Sequence, residues 1–230
     1  MSRSTTSCLS ALCPQDGRIL EHYAGEYDAV YVALSPFIRP VSISLDLFCP
    51  ETYPDHQAIV AACAPVTWAE VQKLGGFASI EEIDIALRTS ILGLRDHLLR
   101  NDLAQKLASC IEDTGICPPA EGHHPELMFA AVMRMFEGKA REPLVMVADE
   151  FGEASTTYPI GDLLAGKVRL PSHCNIHTPD RSLLWTVHWD SHCTFLCSSM
   201  ETLQDLKVHE ALEGFYCSPE TEVYWSLYPR

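Results

Sequence analysis

The chain has 230 residues, 47% of them hydrophobic, with 16 bases against 31 acids and a formal charge of −15. That apolar fraction excludes a disordered chain. No window reaches the roughly 18 to 20 continuous apolar residues of a membrane span, and the lack of clustered Lys and Arg speaks against direct nucleic-acid binding.

Residues 1–15 are small and polar and read as a frayed start. Arg3 is followed by no apolar core of a secretory signal, so a cytoplasmic protein with reduced cysteines is expected. Tyr27–Leu34 (YDAVYVAL), between Gly25 and Pro36, reads as a buried strand. Val41–Phe48 (VSISLDLF) alternates, with Val41, Ile43, Leu45 and Leu47 on one face, and predicts a half-buried strand. A proline-rich connection covers 50–65. Thr67 and Glu70 have capping-box spacing before a short helix that ends at Gly75-Gly76. Ser79 and Glu82 repeat that spacing. After them Ile80, Ile83, Leu87, Ile91, Leu94, Leu98 and Leu99 predict a long amphipathic helix, broken near Asn101-Asp102 and resuming to Glu112. Pro125 is placed to open a Met- and Phe-rich helix from Glu126 to Glu137.

Leu144–Ala148 is a short apolar strand, Asp149–Pro159 an acidic loop, and Ile160–Ala165 one or two helical turns. Leu183–Trp189 and Cys193–Cys197 predict a β-hairpin turning at Asp190-Ser191, with Trp189 opposite His192 and His188 opposite Cys193. A helix over Met200–Glu213, closed by Gly214, and a last strand over Val223–Leu227 complete the pattern. The expected fold is a single α+β domain over 1–230, a small, mostly antiparallel sheet from both chain ends packed on a central helical layer. The loop at 113–125 is the candidate division between 1–112 and 126–230.

The charge is concentrated late in the chain. Between residues 182 and 229 the one base is Lys207, against Asp190, Glu201, Asp205, Glu210, Glu213, Glu220 and Glu222. An acidic face rich in aromatic residues suits docking of a basic protein, with Trp185, Trp189, Tyr216 and Trp225 as anchors and Glu210 and Glu213 as a steering rim. The leading expectation is a binding protein without catalysis or cofactor, acting on another protein.

The alternative is chemical. His173, His177, His188 and His192 fall within 20 residues, beside Cys174, Asp190, Cys193 and Cys197. A straight strand through His188, Asp190 and His192 would put two imidazoles and a carboxylate on one face, with His173 as a further ligand. That donor set suits zinc or non-haem iron in a hydrolase or oxygenase. A turn at Asp190-Ser191 abolishes the shared face. Cys193 or Cys197 with His188 or His192 also supplies the residue types of a thiol hydrolase. His123-His124 reads as an exposed loop pair, and Asp149, Glu150 and Glu153 as a solvated loop at a strand end. No phosphate-binding glycine loop, nucleophile elbow or His-Glu-x-x-His occurs.

Tyr27–Pro40 (YDAVYVALSPFIRP) and Leu184–Leu227 (LLWTVHWDSHCTFLCSS to EGFYCSPETEVYWSL) resemble uncharacterised bacterial proteins grouped as a domain of unknown function. That resemblance implies no activity and transfers no catalytic residue. The second segment is also similar in layout to the ends of bacterial toxin-immunity proteins: hairpin, helix, aromatic final strand. This likeness implies an inhibitor of a basic enzyme such as a nuclease toxin.

Overall fold

The fold was read from a computed structural model that describes residues 13–139 and 142–228. The frayed start expected for 1–15 lies, up to residue 12, outside the described residues. Ala29–Leu34 (β1) is apolar at every position and buried at every position, which requires cover on both faces of its sheet. Alternate residues divide between two cores: Val30, Val32 and Leu34 face one, Ala29, Tyr31 and Ala33 the other.

Ile19–His22 (α1), Trp68–Gly75 (α3), Ile80–Ser90 (α4) and Asn101–Thr114 (α5) carry apolar residues into the first core. Glu126–Lys139 (α6), Ile160–Leu164 (α7), Met200–Asp205 (α8) and Val208–Ala211 (α9) fill the second. Between them lies a seven-stranded antiparallel sheet in the order β5-β4-β6-β7-β8-β1-β9. Its other strands are Leu144–Ala148 (β4), Ser155–Pro159 (β5), Asn175–His177 (β6), Leu184–Val187 (β7), Cys193–Ser198 (β8) and Gly214–Tyr216 (β9). Phe37–Pro40 (β2) and Cys63–Val66 (β3) form a small separate sheet, joined through the helix His56–Ala62 (α2). The α+β class and the antiparallel sheet drawn from both chain ends are as expected. The layer order is not: the sheet is in the middle, because an all-apolar β1 cannot leave either face wet. Among the described residues no helix is long and apolar enough to cross a membrane.

Several elements follow their local signals. Thr67 accepts the Glu70 N–H, and Gly76 closes α3 in the left-handed region. The β7–β8 hairpin pairs Leu184 with Cys197 and Val187 with Thr194, the register expected. Others are corrections. Val41–Phe48 is not a strand. Ser44 accepts the Asp46 N–H and caps a 3-10 turn over Leu45–Leu47, so a local bond replaces a ladder that has no neighbouring strand. The long helix stops at Ser90: Leu92 is left-handed, its N–H bonds the Thr89 carbonyl, and the Gly93 N–H bonds the Arg88 carbonyl. The acidic loop holds a strand. Asp149 accepts the N–H groups of Phe151, Glu153 and Ala154 and turns the chain into β5, whose exposed polar residues suit a sheet edge. The helix expected over Met200–Glu213 is two short ones, parted at the left-handed Lys207. Val223–Leu227 is a run of turns, and the last strand is β9.

Candidate functional site

Antiparallel pairing brings one set of strand ends together. Ala148 is beside Asn175, Val187 beside Thr194, and Leu34 beside Cys193, so the loops at 149–154, 172–174 and 188–192 share one end of the sheet. The 121–124 segment joins them through Gly122 N–H to the Ser191 carbonyl at 3.1 Å.

Trp189 stands at the tip of the β7–β8 hairpin and is 45% exposed. The His173 ring stacks on it, with centroids 4.6 Å apart and planes at 24°. His173 sits at φ 57°, a left-handed conformation that costs a residue with a Cβ about 1 kcal/mol or more. Gly122 lies beneath: a Cβ there would fall 2.5 Å from His173 Nε2 and 3.0 Å from the Trp189 carbonyl oxygen. His123 flanks the stack, its Nδ1–H donating to the Glu121 carbonyl at 2.7 Å and its Nε2 accepting from Ser172 Oγ at 3.1 Å. Phe151, in the neighbouring loop, is 63% exposed.

Carboxylates surround these rings. Glu150 and Asp190 both act on His173, whose pKa is nevertheless lowered, first by burial and then by His123. The Glu121 carboxyl is pushed up, by burial first and by Asp190 next.

A buried ion pair supports the tip. Arg88 Nε donates to Asp84 Oδ2 at 2.8 Å, with both side chains fully buried. The guanidinium also donates to the Asp190 carbonyl at 2.8 Å and to the Val223 carbonyl at 3.3 Å, and lies over the Tyr224 ring. Ser226 donates to the same Asp84 oxygen at 2.6 Å. Asp84 and Arg88 were missed from the sequence, although a signal existed. They are an opposite-charge pair four residues apart on the stripe that also carries Ile80, Ile83 and Leu87.

The metal alternative does not assemble. His188 Nε2–H donates to the Gln15 carbonyl, and its Nδ1 accepts the Asp190 N–H, both at 3.1 Å, so neither nitrogen is available. His192 is buried, 3% exposed, with Nδ1 unpartnered, and burial lowers its pKa to about 4. The His173 ring is stacked on Trp189. Among the described residues no three His, Cys, Asp or Glu side chains are gathered so as to hold a metal ion. Nor is a reactive thiol formed: Cys193 and Cys197 are buried and burial pushes both thiols up.

The expected anchors divide. Trp185 and Trp225 are fully buried in the two cores and offer no surface. Tyr216 is half-buried in β9, its ring edge-on to Tyr31. Glu210 is exposed and pairs with Lys207. Glu213 instead accepts the Trp68 and Ala69 N–H groups at 2.6 and 2.8 Å and caps α3. His124, read as exposed, places its ring 4.1 Å from that of Trp185, with Nε2–H on the Cys174 carbonyl.

The molecule is thus an α+β protein whose sheet ends in an exposed aromatic and histidine stack with carboxylates around it. The chain belongs to a family described as a protein of unknown function (DUF2711), whose model matches residues 15–227. It is similar to the uncharacterized protein YwbB of Bacillus subtilis (strain 168), 31% identical over 109 residues. That match covers 46% of this chain and 48% of YwbB, about half the length of each. No solved structure matches the chain.

Proposed function

We propose that this protein is a non-catalytic binding protein that engages a basic partner protein through the Trp189 end of its sheet. The observation that carries the reading is the immobilised, exposed Trp189. Of the four tryptophans, Trp68, Trp185 and Trp225 are fully buried, and Trp189 alone faces solvent. A large ring held rigidly loses little entropy on binding, which is what an interface anchor needs. The carboxylates of Glu121, Glu150 and Asp190 around it favour an incoming Lys or Arg, which also gains from the aromatic face. An immunity-like inhibitor of a basic enzyme is one form of such a protein, with the docking surface moved from Trp185, Tyr216 and Trp225 to Trp189 and Phe151.

Calorimetry with Lys- and Arg-rich peptides at low and moderate salt tests this. Trp189→Ala, and Glu121→Lys with Glu150→Lys, are expected to weaken binding about tenfold or more. Absence of binding at low salt, or affinities unchanged in both variants, would overturn the reading.

A further inference from the structure

The carboxylates around Trp189 are interleaved with two imidazoles. We propose that His123 and His173 make the Trp189 surface pH-responsive: with both rings neutral it holds a basic protein, and with protons added in mild acid it lets that protein go. The inference rests on the reading of Trp189 as the anchor for a basic partner and adds the regulation of that site.

Both rings lie where a charge would count. Their centroids are 5.7 Å apart, and the His173 ring stacks on the Trp189 indole at 4.6 Å. His123 is exposed and His173 half-buried, so water reaches the pair. Their titratable neighbours come from separate segments. Burial and His123 disfavour the His173 cation, while Glu150 and Asp190 favour it. His123 in turn acts on the Glu121 and Glu126 carboxyls and on His124, whose own pKa burial lowers to about 4.

Protonation acts twice on a docked Lys or Arg. Each imidazolium offsets one of the carboxylates of Glu121, Glu150 and Asp190, and the attraction for the partner's cations falls. An imidazolium stacked on Trp189 also engages the aromatic ring that a Lys or Arg would use. Two cations so close repel, so the pair takes up its protons in two steps. Glu121, its carboxyl pushed up chiefly by burial, loses charge in the same direction.

The local bonds survive the change. In neutral His123, Nδ1–H donates to the Glu121 carbonyl and Nε2 accepts from Ser172 Oγ. Once Nε2 carries a proton, the Ser172 hydroxyl has only to rotate and accept from it. The surface changes its charge and keeps its shape.

Calorimetry of the full chain with Lys- and Arg-rich peptides at pH 8 and pH 5, at constant ionic strength, is the test. The peptide side chains keep their charge over that range. Binding should be about tenfold weaker or worse at pH 5. In the double variant His123→Gln, His173→Gln the ratio of the two affinities should shrink to about threefold or less. Trp189 emission gives a readout that needs no peptide, because a protonated imidazole stacked on an indole quenches it. Acid should dim the part of the emission that Trp189→Phe lacks, and His173→Gln should remove the dimming. No binding at pH 8 would overturn the proposed function and this inference with it. Binding at pH 8 that persists undiminished at pH 5, an equal loss in the double variant, or Trp189 emission indifferent to acid would overturn the inference alone.

Discussion

The Arg88 guanidinium donates a 2.8 Å hydrogen bond to the backbone carbonyl of Asp190, 102 positions further along the chain. Through it a charge buried under α4 positions the tip of a hairpin that reaches solvent one residue earlier, at Trp189. Asp190 itself is half-buried, its backbone fixed from below. Gly93 makes room for this, since a Cβ there would lie 3.1 Å from the Asp190 Cβ.

Removing the cation alone should be costly. Arg88→Met leaves the Asp84 carboxylate buried without its partner, and a loss of about 3 to 5 kcal/mol in urea unfolding is expected. The double variant Asp84→Leu, Arg88→Met should recover much of that loss, because no bare charge remains. Trp189 emission in both variants should report a looser tip.

Acid should destabilise the fold through His192. Its folded pKa is about 4, against about 6.5 in an unfolded chain. Between those values the unfolded chain takes up a proton that the folded one refuses. Stability is therefore full above about pH 6.5 and declines as pH falls towards 4, by up to ~3 kcal/mol from this residue. His124, lowered to about 4 chiefly by burial, acts in the same direction. His192→Gln should show a shallower fall in unfolding free energy between pH 7 and pH 4.5.

Gly122 supports the stack by having no side chain. Gly122→Ala meets both a left-handed backbone, φ 63°, and the His173 ring, so a loss of about 1 to 3 kcal/mol is expected. The acrylamide-quenchable part of the tryptophan emission should change with it. The same component should vanish in Trp189→Phe, since the other three indoles are buried.

Glu213 and Glu210 separate a cap from a surface charge. Glu213→Gln weakens two charge-assisted bonds at the start of α3 and should cost about 1 kcal/mol. Glu210→Gln disturbs only an exposed pair with Lys207 and should stay within about 0.5 kcal/mol. Equal effects in thermal unfolding would refute the assigned cap.

Some of the candidate site was legible in advance. The hairpin register follows from apolar residues on both sides of Asp190-Ser191, and that register puts Trp189 at a tip. Whether Trp185, Trp189 or Trp225 met solvent was not legible, because a tryptophan two residues inside a paired strand and one at its end look alike in sequence. Phe151 and Gly122 were equally hidden: their importance comes from loops that are remote in sequence and meet at one end of the sheet.

The sequence by itself determined the acidity, the α+β class, the cap and stop of α3, and the hairpin. Each depends on residues within a few positions of one another, where spacing and turn chemistry act directly. Only the tertiary structure decided where that acidity is used. Of the seven acids between residues 182 and 229, Glu213 was taken into a helix cap from 144 and 145 positions away. Asp190 was set beside Glu121, which lies outside that stretch. Long-range pairing of strands makes such neighbours, and no local pattern encodes them.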